Sequence, residues 1–242
     1  MIIHSKIDKG IIRHSNQDAY IAGELSPTVS FGIVCDGMGG ANAGNIASEI
    51  AVKTVSEYLY NSYRNNMSVD DIDKVVKNAI SSANLQIFDR ASKNDALKGM
   101  GTTIVVAVIS GNQAVIAHVG DSRIYLVNDR LQQLTKDHSI VQSLIESGKI
   151  THEDAKIHPR KNVITRALGV ESEVMVDSDF IDLNSNDTLL LCTDGLTNFV
   201  SEDTILKTFN DNDISTVCDK LVELANIGGG GDNITVVTFT AE

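Results

Sequence analysis

The sequence predicts an α+β fold in which antiparallel sheets are covered by helices on their outer faces. Two observations support this prediction. Stretches with strand character and stretches with helix character occur in separate blocks along the chain, which disfavours a doubly wound parallel sheet. Several neighbouring strand-like stretches are joined by turns too short for a crossover connection, as in antiparallel pairs.

The composition indicates one compact domain over residues 1–242. With 242 residues, 42% hydrophobic residues and two prolines, the chain can bury a sizeable core. The net charge of −12 argues against a nucleic-acid backbone or an anionic membrane as partner. No apolar run approaches the roughly 20 residues that span a bilayer. The three cysteines and the absence of a basic and apolar leader favour the cytoplasm, and we expect a monomer by default.

The first part of the chain predicts three strands followed by two helices. The strands are expected at 2–8, 18–25 and 29–35, and the helices from just after Gly40 to about 61 and from Ser68 to about 91. Apolar residues recur at helical spacing, for example at Ile72, Val76 and Ile80. Ser68, with Asp71 three positions on, matches the capping pattern of a helix N-terminus.

The second part of the chain returns to strands before it ends in two helices and a last strand. Strands are expected at 102–109, 113–119, 123–127, 131–134, 174–181, 187–193 and 234–240, and helices at 201–209 and 213–226. The turns at 110–112, 120–122 and 128–130 are short, so we expect the four strands from 102 to 134 to form one antiparallel meander. Residues 138–165, by contrast, indicate a small helical excursion on the surface.

Residues 29–40 indicate where the chemistry lies. An apolar run with strand character delivers Asp36 to its end and then turns through Gly37, Gly39 and Gly40. A carboxylate next to bare backbone suits a metal or phosphate site. An Asp-Gly pair after a strand is also a common turn, so this stretch alone does not distinguish the two.

Four further acids lie at predicted strand edges. The full set is Asp18, Asp36, Asp121, Asp194 and Asp232. Carboxylates at these edges can converge at one end of a sandwich, and oxygen ligands without histidine or cysteine at ligand spacing favour Mg²⁺ or Mn²⁺ over zinc. Two such ions about 3.5–4 Å apart would produce a hydroxide nucleophile near neutral pH. Arg13, five residues before Asp18, is the candidate cation for orienting phosphate oxygens.

Six ordered motifs resemble those of the metal-dependent type 2C serine/threonine protein phosphatases. They are Arg13-x-x-Asn16-Gln17-Asp18, Asp36-Gly37-Met38-Gly39-Gly40, Gly99-Met100-Gly101-Thr102-Thr103, His118-Val119-Gly120-Asp121-Ser122-Arg123, Cys192-Thr193-Asp194-Gly195-Leu196 and Gly231-Asp232-Asn233-Ile234-Thr235. The resemblance covers essentially the whole chain and is greatest to the compact bacterial branch. It implies a four-layer α-β-β-α sandwich, which agrees with the separate blocks of strands and helices.

The resemblance also implies roles for the acids. Asp36 and the carbonyl of Gly37 would bridge two central Mn²⁺ or Mg²⁺ ions. Asp194 and Asp232 would hold one of these ions. Asp18 would support the second ion either through a bound water or by contacting the residues that hold it. A water that bridges the ions would attack the phosphate directly, so that no covalent phosphoenzyme forms.

Further roles follow from the same resemblance. Asp121 with Asp194 would form a third, weaker metal site, as in bacterial members, and Arg13 would bind the substrate phosphate. The excursion at 138–165 corresponds to the family's variable flap, which borders the site. The implied substrates are phosphoserine and phosphothreonine in proteins, and the implied partner is an opposing serine/threonine kinase.

The chain departs from the family pattern at three positions. Ala41 and Asn45 stand where bacterial relatives often carry histidine and glutamate, which puts in question a contact at the start of the first helix but not the metal ligands. Met38 stands where other branches carry a histidine proposed as general acid, so the proton donor to the leaving group is unassigned.

Alternative functions are also considered. An inactive phosphoprotein-binding module on the same fold would lack one of the acids, and all five are present. A phosphorylated regulator of the anti-sigma type is another possible substrate, but that branch usually carries sensor domains, which are not recognisable in these 242 residues. Ser122 has no evident histidine and acid partners, which argues against a serine hydrolase. We expect His118, within an apolar strand, to be a hydrogen-bonded core histidine.

Overall fold

The strands form two antiparallel sheets that pack face to face, with helices on the outer face of each sheet. This arrangement is seen in a computed structural model, which describes residues 1–40 and 43–241. The order of the layers is helices, sheet, sheet, helices. The predicted α+β class and the four-layer α-β-β-α sandwich are therefore confirmed.

Most elements lie close to their predicted bounds. The strands are β1 (Ile2–Asp8), β2 (Asp18–Ser26), β3 (Val29–Met38), β4 (Gly101–Thr102), β5 (Ile104–Ser110), β6 (Gln113–Val119), β7 (Arg123–Val127), β8 (Leu131–Gln133), β9 (Asp177–Asp182), β10 (Thr188–Cys192) and β11 (Ile234–Thr240). The helices are α1 (Gly44–Ser62), α2 (Val69–Ser92), α3 (Ile140–Glu146), α4 (His152–Lys156), α5 (Asp194–Thr197), α6 (Glu202–Asp211) and α7 (Ile214–Ile227), with a 3-10 helix at Asp95–Leu97. None of the helices in the described part of the chain has the length and apolarity needed to cross a bilayer.

The two sheets are built from distant parts of the chain. The first sheet has the strand order β1-β11-β10-β7-β8, and the second has the order β2-β3-β5-β6-β9, with β4 paired to β3. Strands β1 and β11, near the two ends of the chain, pair with each other from Ile2 opposite Thr240 to Asp8 opposite Ile234.

Three layers of apolar side chains hold the sandwich together. Along β3, Phe31 and Ile33 pack towards α1 and α2, whereas Val34 packs between the sheets, because side chains alternate across a strand. Phe239 and Leu191 of the first sheet fill the same space between the sheets. The outer face of the first sheet packs against α5, α6 and α7.

Side-chain caps fix the starts of several helices. The Ser68 hydroxyl accepts a hydrogen bond from the backbone N–H of Asp71, which confirms the predicted cap of α2. Residues 138–165, which we call the flap, contain α3 and α4 as the predicted helical excursion. A reciprocal capping box between Thr151 and Asp154 begins α4.

The predicted four-strand meander is wrong at one turn. β6 belongs to the second sheet and β7 to the first, so residues 120–122 carry the chain from one sheet to the other. The reason lies in the hydrogen bonds of Gly120, whose N–H and carbonyl both bind His138 and not a hairpin partner. The backbone of Gly120 has a φ of +106°, and a β-carbon there would collide with the Thr103 side chain. This crossing carries Asp121.

Candidate metal centre

Four of the five predicted acids come in two pairs from neighbouring strands. Asp18 and Asp36 are directly opposite each other on β2 and β3 of the second sheet. Asp194 follows the end of β10, and Asp232 precedes the start of β11. Because β10 and β11 pair in the first sheet, each sheet contributes one pair of carboxylates near the ends of two neighbouring strands.

Asp18 connects the two sheets. Its Oδ2 accepts hydrogen bonds from the hydroxyl of Thr193 at 3.0 Å and from the hydroxyl of Thr235 at 2.6 Å, both on the first-sheet side. Its Oδ1 is buried and has no hydrogen-bond partner. Burial raises the pKa of Asp18 to about 7, and the charges of Asp194 and Asp232 act in the same direction, against the two hydroxyls.

Asp36 lies among the other carboxylates. The Thr103 hydroxyl accepts a hydrogen bond from the backbone N–H of Asp36 at 2.9 Å, and the Thr102 hydroxyl donates to its carbonyl at 2.8 Å. Burial raises the pKa of Asp36 well above its usual range, and the charges of all four other acids raise it further. The five predicted acids therefore lie close enough to interact, and we call Asp18, Asp36, Asp121, Asp194 and Asp232 the acid cluster.

Asp194 begins α5, a short helix that the sequence did not predict. Its Oδ2 accepts a hydrogen bond from the Asn198 amide at 2.8 Å, and its Oδ1 is buried without a partner. Burial and the charge of Asp232 raise the pKa of Asp194 to about 6, although the hydrogen bond from Asn198 opposes them.

Asp121 lies on the crossing between the sheets and beside Asp194. Burial raises the pKa of Asp121 to about 8, and the charges of Asp194 and Asp137 add to this effect. The next residue, Ser122, shares a hydrogen bond of 2.7 Å with the Thr103 hydroxyl, which also holds Asp36. Thr103 thus links the crossing to β3.

Arg13 and Asp232 form an ion pair at the rim of the acid cluster. The Arg13 Nη2 donates to Asp232 Oδ2 at 2.7 Å, and the Arg13 Nε donates to the carbonyl of Gly231 at 3.2 Å. The side chain of Arg13 is 48% exposed, so its guanidinium is accessible from solvent. Asp232 Oδ1 accepts from the N–H of Asn233.

Gly37 is packed where no side chain fits. Its N–H donates to the carbonyl of Gln17, and a β-carbon would collide with that carbonyl and with the backbone of Gly44. Of the two departures expected near this helix start, Ala41 lies outside the described residues. Asn45 lies in the first turn of α1, and its Oδ1 is buried without a partner.

The chemistry of the acid cluster fits Mg²⁺ or Mn²⁺. Buried carboxylate oxygens are normally hydrogen-bonded, yet Asp18 Oδ1 and Asp194 Oδ1 are not. Burial first, and then the like charges of neighbouring acids, raise the pKa values of Asp18, Asp36, Asp121 and Asp194. A divalent cation would complete the contacts of both oxygens and offset the repulsion, and carboxylate donors suit hard cations.

A second group of possible ligands lies beyond the crossing. Among the described residues, His118, His138 and Asp177 have ligand atoms within 4.8 Å of one another. No three acids of the acid cluster have ligand atoms within this distance of one another. The rings of His118 and His138 are stacked, with centroids 4.6 Å apart.

An open cleft leads to the acid cluster. It has a volume of about 750 Å³ and is lined on one side by Asp121 and Asp194. The flap also lines the cleft, with Ile145, His152 and Lys161 among the lining residues. The flap therefore borders the approach to two of the acids.

Sequence reasoning missed the residues that hold the acids in place. They are Thr103, Thr193, Thr235, Ser122 and Asn198. Three of them are sequence neighbours of the acids or belong to the same motif, so a hydroxyl beside a candidate ligand was an available signal. Nothing local indicated that Thr193 and Thr235 bind Asp18.

Comparison with known proteins identifies the family. Residues 5–220 match the family model described as protein phosphatase 2C. The serine/threonine phosphatase stp of Listeria welshimeri is 44% identical over 236 residues, which cover 96% of this chain and 92% of that protein. The chain belongs to the protein phosphatase 2C family. The protein phosphatase PhpP of Streptococcus pneumoniae, another relative, is 40% identical over 206 residues, covering 84% of this chain and 82% of that protein.

Solved structures of protein phosphatase 2C relatives share the whole fold. The Mycobacterium tuberculosis serine/threonine phosphatase PstP/Ppp superposes with a TM-score of 0.90 and 33% identity, covering 100% of this chain and 98% of that one. The catalytic domain of PstP in complex with two manganese ions has a TM-score of 0.86 and 33% identity over the same shares. The family resemblance that the six motifs predicted is thus confirmed.

Proposed function

We propose that this member of the protein phosphatase 2C family hydrolyses phosphoserine and phosphothreonine in proteins, with Mn²⁺ or Mg²⁺ as cofactor. The observation that supports this best is the meeting of acids from both sheets around two buried carboxylate oxygens that lack partners. The Listeria stp and the Mycobacterium tuberculosis PstP/Ppp named above are serine/threonine phosphatases, and PstP has been solved with two manganese ions.

Asp36, Asp194 and Asp232 are the proposed central ligands. Bound here, two ions would supply a hydroxide nucleophile near neutral pH and offset the charge of the phosphate. Asp36, together with the carbonyl of Gly37, would hold both ions, a role supported by the action of the charges of all four other acids on Asp36. Asp194 Oδ1 has no hydrogen-bond partner and is available to a metal ion. Among the described ion pairs, Asp232 is paired with Arg13 alone.

Asp18 and Asp121 have proposed roles at the edges of the centre. Two hydroxyls already occupy Oδ2 of Asp18, so only its Oδ1 is available, either directly or through water. Asp121 lies beside Asp194, and the two would form a third, weaker metal site.

Arg13 is the proposed phosphate-binding residue. Its guanidinium is exposed at the rim of the acid cluster and contacts Asp232. With Asp232 serving as a metal ligand, the planar N–H groups of Arg13 would be free to bind two phosphate oxygens.

We also propose the setting in which the enzyme acts. The pairing of β1 with β11 supports one catalytic domain over residues 1–242. By analogy with the family, an opposing serine/threonine kinase would phosphorylate the same substrates. The odd number of cysteines, all free and buried, supports a cytoplasmic location, and a monomer is the default proposal.

The test is hydrolysis of an aryl phosphate and of a phosphothreonine peptide, with Mn²⁺ or with EDTA. The wild type should turn over both substrates only with the metal, and Asp36→Asn should be inactive. Asp70→Asn, which neutralises an exposed acid on α2, is the matched control and should remain active.

Two results would contradict the proposal. Turnover that survives EDTA would exclude the metal-dependent mechanism. Binding of the phosphopeptide without any turnover in the presence of Mn²⁺ would show an inactive binding module instead.

A further inference from the structure

His138 makes four hydrogen bonds at the start of the flap. Its backbone N–H donates to the carbonyl of Gly120 at 2.9 Å, and its Nδ1 accepts from the N–H of Gly120 at 3.0 Å. Its carbonyl accepts from the N–H of Thr165, at the other end of the flap, at 2.8 Å. Its Nε2 lies 3.2 Å from Asp177 Oδ2. One residue therefore connects the crossing between the sheets, both ends of the flap and β9.

The two bonds to Gly120 fix the residue that precedes Asp121. Both backbone polar groups of Gly120 bind His138, and the Thr103 side chain occupies the space that a β-carbon at residue 120 would need. On the other side of Asp121, Ser122 is bound to Thr103. Asp121 is thus held from both sides, and His138 supplies one of the two attachments.

The hydrogen bonds also determine the tautomer of His138. Because the Gly120 N–H donates to Nδ1, the ring hydrogen lies on Nε2 and donates to Asp177. Asp177 Oδ1 in turn accepts from Arg166 Nη1 at 2.7 Å. Arg166 therefore orients Asp177, and Asp177 keeps Nδ1 of His138 free to accept.

His138 is also held in its neutral form. Burial lowers the pKa of His138 and outweighs the hydrogen bond to Asp177, which raises it, and the neighbouring His118 ring lowers it further. Burial likewise lowers the pKa of His118, whose Nε2 lies 2.8 Å from the carbonyl of Lys136. Two neutral stacked rings do not repel each other, so Nδ1 of His138 stays an acceptor near pH 7.

The geometry does not favour a metal ion between these rings. Their planes are 14° from parallel and their centroids are 4.6 Å apart. An ion bound to imidazole lies in the plane of the ring at about 2 Å from nitrogen, and it cannot lie in two separated parallel planes at once. Both nitrogens of His138 are already hydrogen-bonded.

We propose that His138 is a positioning residue that holds Asp121 in place for metal binding and couples this acid to the flap. The proposal rests on the proposed function in so far as Asp121 binds a metal ion. Groups that orient ligand residues commonly change metal affinity by about 10–100-fold when they are replaced.

Two substitutions of His138 separate positioning from simple loss of packing. In His138→Asn the amide oxygen can take the place of Nδ1 and accept from Gly120, but the contact to Asp177 is lost. In His138→Gln the longer amide can reach Asp177, but no acceptor faces Gly120. Both variants lose the stacked ring, so they share the cost of lost packing.

The readout is the number and affinity of bound Mn²⁺ ions, measured by electron paramagnetic resonance of the free ion. We expect His138→Gln and Asp121→Asn each to weaken the weakest Mn²⁺ site by about 10–100-fold, and His138→Asn to keep the wild-type binding curve. Asp177→Asn, which can donate to Nε2 and so shift the ring hydrogen to Nδ1, should resemble His138→Gln and serves if the latter does not fold.

Each other outcome overturns the proposal. Equal Mn²⁺ binding in the Gln and Asn variants would leave His138 with a packing role only. An unchanged binding curve in Asp121→Asn would remove the site that His138 is proposed to support. Loss of an ion in both His138 variants, but not in Asp121→Asn, would place the metal at the histidines. Failure of the proposed function is distinguished because it would appear as absent hydrolysis by the wild type itself.

Discussion

Two polar clusters flank the crossing at residues 120–122, and they differ in whether their buried groups have partners. In the acid cluster, Asp18 Oδ1 and Asp194 Oδ1 lack hydrogen bonds, and neighbouring charges have the same sign. In the group around His138, both ring nitrogens are bonded, and Asp177 faces Arg166.

The pKa shifts of the two clusters follow this difference. Burial raises the pKa of each shifted carboxyl in the acid cluster, and the neighbouring acids raise it further. Burial would also raise the pKa of Asp177, but the hydrogen bonds from Arg166 and His138 reverse the shift and lower it. A buried polar cluster that is completed by its own residues supports structure, whereas one that is left incomplete indicates a ligand.

The largest expected effect comes from the same substitution in the two clusters. Asp194→Asn should lower kcat/KM by about 10³-fold or more, because metal ions contribute several kcal/mol to transition-state stabilisation. It should also raise the unfolding temperature of the metal-free protein, since a buried like charge is removed while the Asn198 contact can be kept. Asp177→Asn should instead lower the unfolding temperature, and it should cause a much smaller loss of activity. Equal effects of the two substitutions on both measurements would contradict the distinction between the clusters.

Arg13 gives the next largest effect. Arg13→Ala should lower kcat/KM by about 10–100-fold, mainly through a higher KM, because a hydrogen bond to a charged group contributes about 1.5–3 kcal/mol. Arg13→Lys should be intermediate, since lysine keeps the charge but lacks the planar pair of donors. Steady-state kinetics with a phosphothreonine peptide measures both variants. Full activity of the alanine variant would assign phosphate binding to another residue.

Substitution of Thr103 tests the hydrogen bonds that join Asp36 to the crossing. Thr103→Val keeps the shape but leaves the N–H of Asp36 without its acceptor and breaks the bond to Ser122. We expect the free energy of unfolding to fall by about 1–3 kcal/mol in urea titrations. Thr240→Val, which loses only the hydroxyl contact to Thr188 at the far end of the first sheet, is the control and should cost less. A smaller loss for Thr103→Val than for the control would show that this attachment is dispensable.

The sequence was sufficient for the acid cluster but not for its supports. The spacing of apolar residues and the turn residues located the strands, and acids next to glycine at the strand ends indicated a metal site. Both signals lie within short stretches of sequence, so they could be recognised without the structure. The crossing at 120–122 was missed because turn length does not show whether the next strand joins the same sheet. The bonds from Thr193 and Thr235 to Asp18 span 175 and 217 residues, so no local pattern indicates them. Helix α5 is four residues long, too short for a periodic signal.

The smallest expected effect is a pH dependence that belongs to the acid cluster alone. The pKa of Asp121 is raised to about 8 in the folded, metal-free protein, far above the value of an unfolded chain. Its folded form therefore holds a proton that the unfolded form has released, and its contribution to stability falls as the pH rises from about 4 and is lost above about 8. Asp121→Asn has no such proton. The unfolding temperature of this variant relative to the wild type, measured in EDTA, should rise between pH 5 and 8 and then stay level, by about 2–4 °C for each kcal/mol. Asp177, whose pKa is lowered, should show no such rise on conversion to Asn over the same range. If the unfolding temperature of Asp121→Asn relative to the wild type did not change with pH, the Asp121 carboxyl would be ionised in the metal-free protein. The acid cluster would then tolerate a charge at this position without a metal ion, which contradicts the prediction.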